Sequence, residues 1–267
     1  MTVQCIVTTA LRSGPEQAEL AGYFGRLLNL PVVPRENRSL EELTGRYGAS
    51  GALVVSYRRV AYISAGEEVF FHPSLAVLRI KGLLAGKTDQ MIKAMELLPG
   101  DAILDCTLGL GTDAVVASFV SGADGRVTGL EASPLLAALV AYGLAHYGVE
   151  HVPGLLPAMR RVEVLTCDHR SCLTGLPANS FDLVYFDPMF RRPRRRSAAI
   201  EPLRLLADPA PLSLRAVELA RRVARRRVVI KERRGSAEFA RLGVDRIEGG
   251  RYSPVAYGVI ETGGGCR

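Results

Sequence analysis

The sequence contains no CxxC pair, and its five cysteines (Cys5, Cys106, Cys167, Cys172 and Cys266) are scattered and odd in number. That pattern argues against a disulfide framework and against a structural zinc site, so no metal is expected. There is no apolar run long enough to cross a bilayer. The most apolar stretch, 135–144, is short and is broken by Gly143. The N-terminal segment lacks the basic start and long apolar run of a secretory signal, so a cytoplasmic location without membrane contact is expected. Lysine is scarce, at four of 34 basic residues (Lys81, Lys87, Lys93 and Lys231). Apolar residues are not scarce. At 48% of 267 residues they exclude disorder over most of the chain and suffice for a sizeable core without covalent staples. The length fits one large domain, or one with a smaller companion.

Charge is unevenly placed. Of a net +7, the segment 187–235 carries 15 Lys and Arg against 5 Asp and Glu, which is +10 and leaves −3 for the rest. Such a block suits a polyanion such as RNA, whose phosphates supply most of the attraction. The competing reading is a solvated arginine-rich surface.

Residues 1–95 read as a small α+β domain. Strand-like segments at 4–8, 52–56, 59–64 and 69–71 flank a helical pattern over 16–28. Ser39 with Glu42 three residues on fits a capping box, and Gly48 fits the stop of that helix. Helices are expected from Ser74 through Leu75, Leu78 and Leu83, and over 90–98. From residue 96 the pattern becomes strand, helix, strand, helix, with strands at 102–106, 126–130, 162–167, 181–186 and 227–231 and a closing pair at 244–247 and 255–260. This alternation predicts an α/β architecture, a mostly parallel, doubly wound sheet over 96–267.

In such a sheet, ligands bind beyond the carboxyl ends of the strands. Four successive strands end at or near an acid, Asp105, Glu131, Asp168 and Asp187, which core packing does not explain. The loop Gly109-Leu110-Gly111-Thr112-Asp113-Ala114 matches G-x-G-x-x-A, with Glu131 22 residues after Gly109. Two ligands fit. A dinucleotide would set its pyrophosphate on the helix start and its ribose on Glu131, making the chain a nicotinamide-dependent oxidoreductase. S-adenosylmethionine has no phosphate and carries a cationic sulfonium and amino group, which suit Asp105 and Asp113. Glu131 would then hold the ribose, and Asp168 would accept from the adenine amine.

Asp187-Pro188-Met189-Phe190 favours the second ligand. A carboxylate and a carbonyl held by Pro188 can accept both protons of an exocyclic amine, and Phe190 offers a face on which a base can stack. Arg191, Arg192, Arg194, Arg195 and Arg196 follow at once, placed to grip phosphates beside a base drawn from its stack. Lys231, at the end of a strand, could bind phosphate or close a salt bridge.

The segment 100–260 resembles class I S-adenosylmethionine-dependent methyltransferases. Within that class, Asp105 to Ala114, Leu130-Glu131, Tyr185 to Phe190 and Val228 to Lys231 resemble the RsmJ family of small-subunit ribosomal RNA guanine-N2 methyltransferases. Phe71-His72-Pro73-Ser74 and Leu78-Arg79-Ile80-Lys81 are more similar to a related bacterial branch with no assigned activity. Met189 replaces the second proline of the amino-methyltransferase loop, and Thr112 stands where RsmJ has arginine. The resemblance implies a Rossmann-like fold and cofactor contacts at Thr112, Asp113, Glu131, Ala132, Asp168, His169 and Asp187. It also implies ribosomal RNA as partner and methyl transfer to a guanine amine. A protein or small-molecule methyl acceptor, and a non-catalytic RNA-binding module, are the other readings.

Overall fold

The computed structural model describes residues 5–188, 206 and 210–263. The chain begins with β1 (Cys5–Thr9), α1 (Pro15–Leu28), α2 (Leu40–Tyr47), β2 (Gly51–Val55), β3 (Val60–Ser64) and β4 (Glu67–Phe70). These strands form a four-stranded sheet in the order β1-β2-β3-β4, with β1 parallel to β2 and the rest antiparallel. The capping box at α2 is formed. Glu42 N–H donates to Ser39 Oγ, Ser39 N–H donates to the Glu42 carboxylate, and Gly48 ends the helix at φ +61°.

Two connecting helices follow, α3 (Ser74–Leu84) and α4 (Gln90–Met95). The expected apolar face of α3 is corrected. Leu75 and Leu78 are exposed, and Ala76, Val77 and Ile80 point inward. Helix α3 is turned so that this stripe, rather than Leu75 and Leu78, joins the core it shares with α5. Helix α4 is shorter than expected and stops at Glu96, which adopts a left-handed φ of +45°.

The remaining elements are β5 (Ala102–Asp105), α5 (Thr112–Ser121), β6 (Arg126–Glu131), α6 (Pro134–His146), α7 (Leu155–Arg160), β7 (Val162–Thr166), α8 (His169–Gly175), β8 (Phe181–Phe186), α9 (Leu214–Val223), β9 (Ala224–Arg233), α10 (Glu238–Arg241), β10 (Arg246–Glu248) and β11 (Val255–Glu261). Their seven-stranded sheet runs β10-β11-β9-β8-β5-β6-β7, and only β11 is antiparallel to its neighbours. This is the expected Rossmann-like, doubly wound α/β architecture. The chain moves outward from β5 to β7, then returns to lay β8 on the other side of β5. The switch point therefore lies between β5 and β8.

Side chains alternate across the sheet with period two. Ile103, Val127, Leu183, Tyr185, Val229 and Val259 face one core, shared with α3, α5 and α6. Leu104, Leu130, Val184, Phe186, Val228 and Ile230 face the other, under α8 and α9. The first core is continuous with Phe24 of α1 and with Leu53 and Tyr62 of the four-stranded sheet. Cys106 is buried just past β5, whereas Cys167 lies beyond β7 and is only half-buried. No helix among the described residues is long and apolar enough to cross a membrane.

Candidate active site

Alternation places the chemistry. Asp105 shares a face with Ile103, Glu131 with Val127, Asp187 with Tyr185, and Lys231 with Val229. All four therefore emerge on the α5 side at the carboxyl ends of adjacent strands. Asp113, in the first turn of α5, completes the group.

The glycine loop is fixed from below. Leu108 N–H donates to Leu130 O at 2.9 Å, and Gly111 N–H to Leu108 O at 2.8 Å. Gly109 and Gly111 both have positive φ, +53° and +76°, which a side chain would oppose. The loop cradles Glu131. Gly109 N–H donates to one of its carboxylate oxygens at 3.1 Å and Ser133 N–H to the other at 2.9 Å. With Ala132 N–H also acting on it, the carboxylate still has acceptor capacity for a ribose hydroxyl. Burial raises the Glu131 carboxyl above its ordinary range, and the backbone donors oppose that.

A buried ion cluster occupies the switch point. Lys231 Nζ donates to Asp187 at 2.7 Å and to Asp113 at 3.1 Å. Tyr185 O–H donates to the second oxygen of Asp113 at 2.8 Å. Arg79, from α3, donates to the first oxygen of Asp113 and forms a two-pronged pair with Asp89 at 2.7 and 2.9 Å. Burial disfavours ionised Asp113, but Lys231 and Arg79 outweigh it and hold the carboxyl down at about 2. Burial lifts Asp187 to about 6 against the pull of Lys231, and lifts Asp105 to about 8. Lys231 sits in the same cluster with its pKa raised, because the two carboxylates override its own desolvation.

The loop after β8 is tied to the glycine loop. Asp187 N–H donates to Thr107 Oγ1 at 2.6 Å, and Thr107 N–H donates to Asp105 at 3.0 Å. Thr107, Tyr185 and Arg79 were not among the residues expected from the sequence. The parity of Tyr185 with Asp187 is a signal that could have found the tyrosine. Arg79 lies in the segment Leu78-Arg79-Ile80-Lys81, but nothing in its spacing ties it to Asp113, 34 residues on.

Asp168 caps α8 by accepting from Arg170 N–H at 2.9 Å. Its carboxyl is held down at about 2, chiefly by the Arg170 side chain. His169 meets the Phe186 ring edge-on at 5.7 Å. Thr112 is half-buried, Ala132 is exposed, and Pro188 is half-buried beside Asp187. Phe190, Arg191, Arg192, Arg194, Arg195 and Arg196 lie outside the described residues. Of the two roles considered for Lys231, the salt bridge is the one present.

The basic block does not form one surface among the described residues. Arg225 pairs with Asp182, Arg226 with Asp101, and Arg227 with Glu96 and Glu261. Arg222 donates to the carbonyls of Leu173 and Thr174. These partners lie at the amino-terminal rim of the parallel strands, away from the acid cluster, where the arginines tie strand starts together.

A parallel sheet with one antiparallel strand, a glycine loop and acids at the switch point define a Rossmann-like methyltransferase. Residues 69–245 match the family described as "Putative SAM-dependent methyltransferase", and the chain belongs to it. It is an S-adenosylmethionine-dependent methyltransferase. The chain is 37% identical to the Bacillus subtilis (strain 168) protein YpiP over 96% of its own length and 99% of that protein's. It is 30% identical to ribosomal RNA small subunit methyltransferase J of Dechloromonas aromatica (strain RCB), over 83% of this chain and 87% of that one. A crystal structure of a SAM-dependent methyltransferase from Neisseria gonorrhoeae superposes with a TM-score of 0.66 at 19% identity, covering 97% of each chain, and so shares the fold.

The residues present fit S-adenosylmethionine. Glu131 keeps acceptor capacity for a ribose hydroxyl, and the carboxylates at the switch point suit cationic groups. A pyrophosphate at the same loop would be repelled by Asp113 and Asp187.

Proposed function

We propose that this enzyme transfers the methyl group to an exocyclic amine of guanine in ribosomal RNA, with Asp187 as the residue that receives the amine. The observation carrying this reading is Asp187 itself. It stands at the end of β8 beside the acid cluster, its N–H anchored on Thr107 and its carboxylate on Lys231. Names given to relatives such as the Dechloromonas aromatica protein support ribosomal RNA as the acceptor.

The bound cofactor supplies an electrophilic methyl group on a sulfonium that is already a good leaving group. The chain's task is therefore alignment and exclusion of water. The ionised carboxylate of Asp187 accepts an N–H of the amine and turns the nitrogen lone pair away from itself. Pro188 limits the freedom of the adjacent carbonyl, which can take the second N–H. As the C–N bond forms and the C–S bond breaks, the nitrogen must shed one proton, and Asp187 is placed to take it and pass it to solvent. With its carboxyl at about 6, Asp187 is an ionised acceptor above that pH and a neutral acid below it. Glu131 would hold the ribose, and Gly109, Gly111, Thr112 and Asp113 the methionyl portion. Asp168 and His169, with Ala132, would border the adenine. Phe190 would stack on the base, and the arginines from Arg191 to Arg196 would hold flanking phosphates.

The test is to map methylated nucleotides in ribosomal RNA from cells with and without the enzyme, and to assay purified Asp187→Ala. The expected result is one guanine methylation that disappears with the gene. The variant should lose transfer while binding S-adenosylmethionine within a few-fold of the parent. An unchanged RNA methylation map, or equal loss of transfer and cofactor binding, would overturn the reading.

A further inference from the structure

The acid cluster leaves one part of the cofactor unaccounted for. S-adenosylmethionine carries a carboxylate as well as its sulfonium and ammonium groups. Ionised Asp113, Glu131 and Asp187 would repel it. Among the described residues, Lys231 and Arg79 are the two cations that reach this cluster. Lys231 is shared between Asp113 and Asp187, on the β8 side.

Arg79 is placed differently. It approaches Asp113 from α3, over the first turn of α5, where backbone N–H groups also point outward. Asp89 caps α4 through the N–H groups of Met91 and Ile92 and is thereby fixed, and its two oxygens fix the plane of the guanidinium. Nη1 donates to Asp113, while Nη2 donates to Asp89 and, weakly, to the Met91 thioether at 3.5 Å. The side chain remains 22% exposed, so this held cation is within reach of a ligand.

We propose that Arg79 and Asp113 together form a zwitterion receptor for the methionyl end of the cofactor, Arg79 taking the carboxylate and Asp113 the ammonium. The N-terminal part of the chain thus contributes a cofactor-binding residue, and α3 and α4 serve as its mount. This rests on placing the methionyl portion at the glycine loop.

Calorimetry on the full chain tests it, with S-adenosylmethionine and its decarboxylated analogue as probes. The parent should bind the analogue at least ten-fold more weakly. Arg79→Met should weaken binding of S-adenosylmethionine ten-fold or more and change binding of the analogue by less than three-fold. Arg79→Lys, which keeps the charge but loses the two-pronged hold, should fall between. A residue that merely braces α3 against α5 would weaken both ligands equally, and that result overturns the proposal. Equal affinities of the parent for both ligands overturn it even if Arg79→Met fails to fold. If instead Asp113→Asn leaves both affinities unchanged, the placement of the methionyl portion is what fails.

Discussion

Replacing Lys231 by methionine tests the ion cluster most directly. Methionine keeps much of the length and volume but carries no charge. Lys231 is 20% exposed and lies 2.7 and 3.1 Å from two carboxylates, so its loss leaves negative charge buried without its main partner. Removing one member of a buried pair costs about 3–5 kcal/mol. For a chain of this size that corresponds to a fall in Tm of roughly 5–10 °C. The pH dependence discriminates further. In the parent, Asp113 at about 2 lies below its ordinary 3.8, so it adds stability above that value and loses it as pH falls toward 2. Asp187 at about 6 lies above its ordinary 3.8, so stability falls as pH rises between those values. Without Lys231 both carboxyls move up. Asp113 loses its contribution, and the window in which Asp187 destabilises extends beyond pH 6. The deficit of the variant is therefore larger at pH 8 than at pH 5. Urea unfolding followed by circular dichroism at the two pH values measures it. A deficit below about 1 kcal/mol at pH 8, a size expected of an exposed pair, or one independent of pH, refutes the reasoning.

Asp105→Asn removes a carboxyl that burial holds at about 8. Asp105 should cost the parent up to ~1.4 kcal/mol of stability per pH unit between the ordinary carboxyl value and 8, and the variant should lack that part of the slope. Parallel stability curves over that range contradict this. Thr107→Val deprives the Asp187 N–H of its acceptor and should cut turnover at least ten-fold with little change in cofactor affinity, whereas Thr107→Ser should recover most of it. An active valine variant would mean the bond does not position Asp187. Gly129→Ala puts a methyl 2.5 Å from Leu108, whose main chain carries the glycine loop. A cost of about 1–3 kcal/mol with weakened cofactor binding is expected by calorimetry and urea unfolding, since overpacking of that size is rarely absorbed without movement.

Much of the site was readable because a parallel sheet gathers strand ends. Once 102–106, 126–130, 162–167 and 181–186 were taken as successive parallel strands, Asp105, Glu131 and Asp187 had to approach one rim. Asp168 follows β7 at the same rim, where Cys167 N–H donates to Glu131 O, and there it also caps α8. Composition counts charge along the chain, but Arg225, Arg226 and Arg227 open β9 while Lys231 lies near its other end. One segment thus serves both rims of the sheet.

Periodicity, strand-end acids and the glycine loop fixed the class of fold and the kind of ligand, because each depends on residues close together in sequence. Tertiary structure alone brought Arg79 onto Asp113 and Thr107 under Asp187. It also turned α3 so that Ile80, rather than Leu78, is buried. Those contacts join segments separated by 34 and 80 residues, and no local pattern encodes which distant side chain will complete a buried charge. That choice is made when the cores on either face of the sheet close.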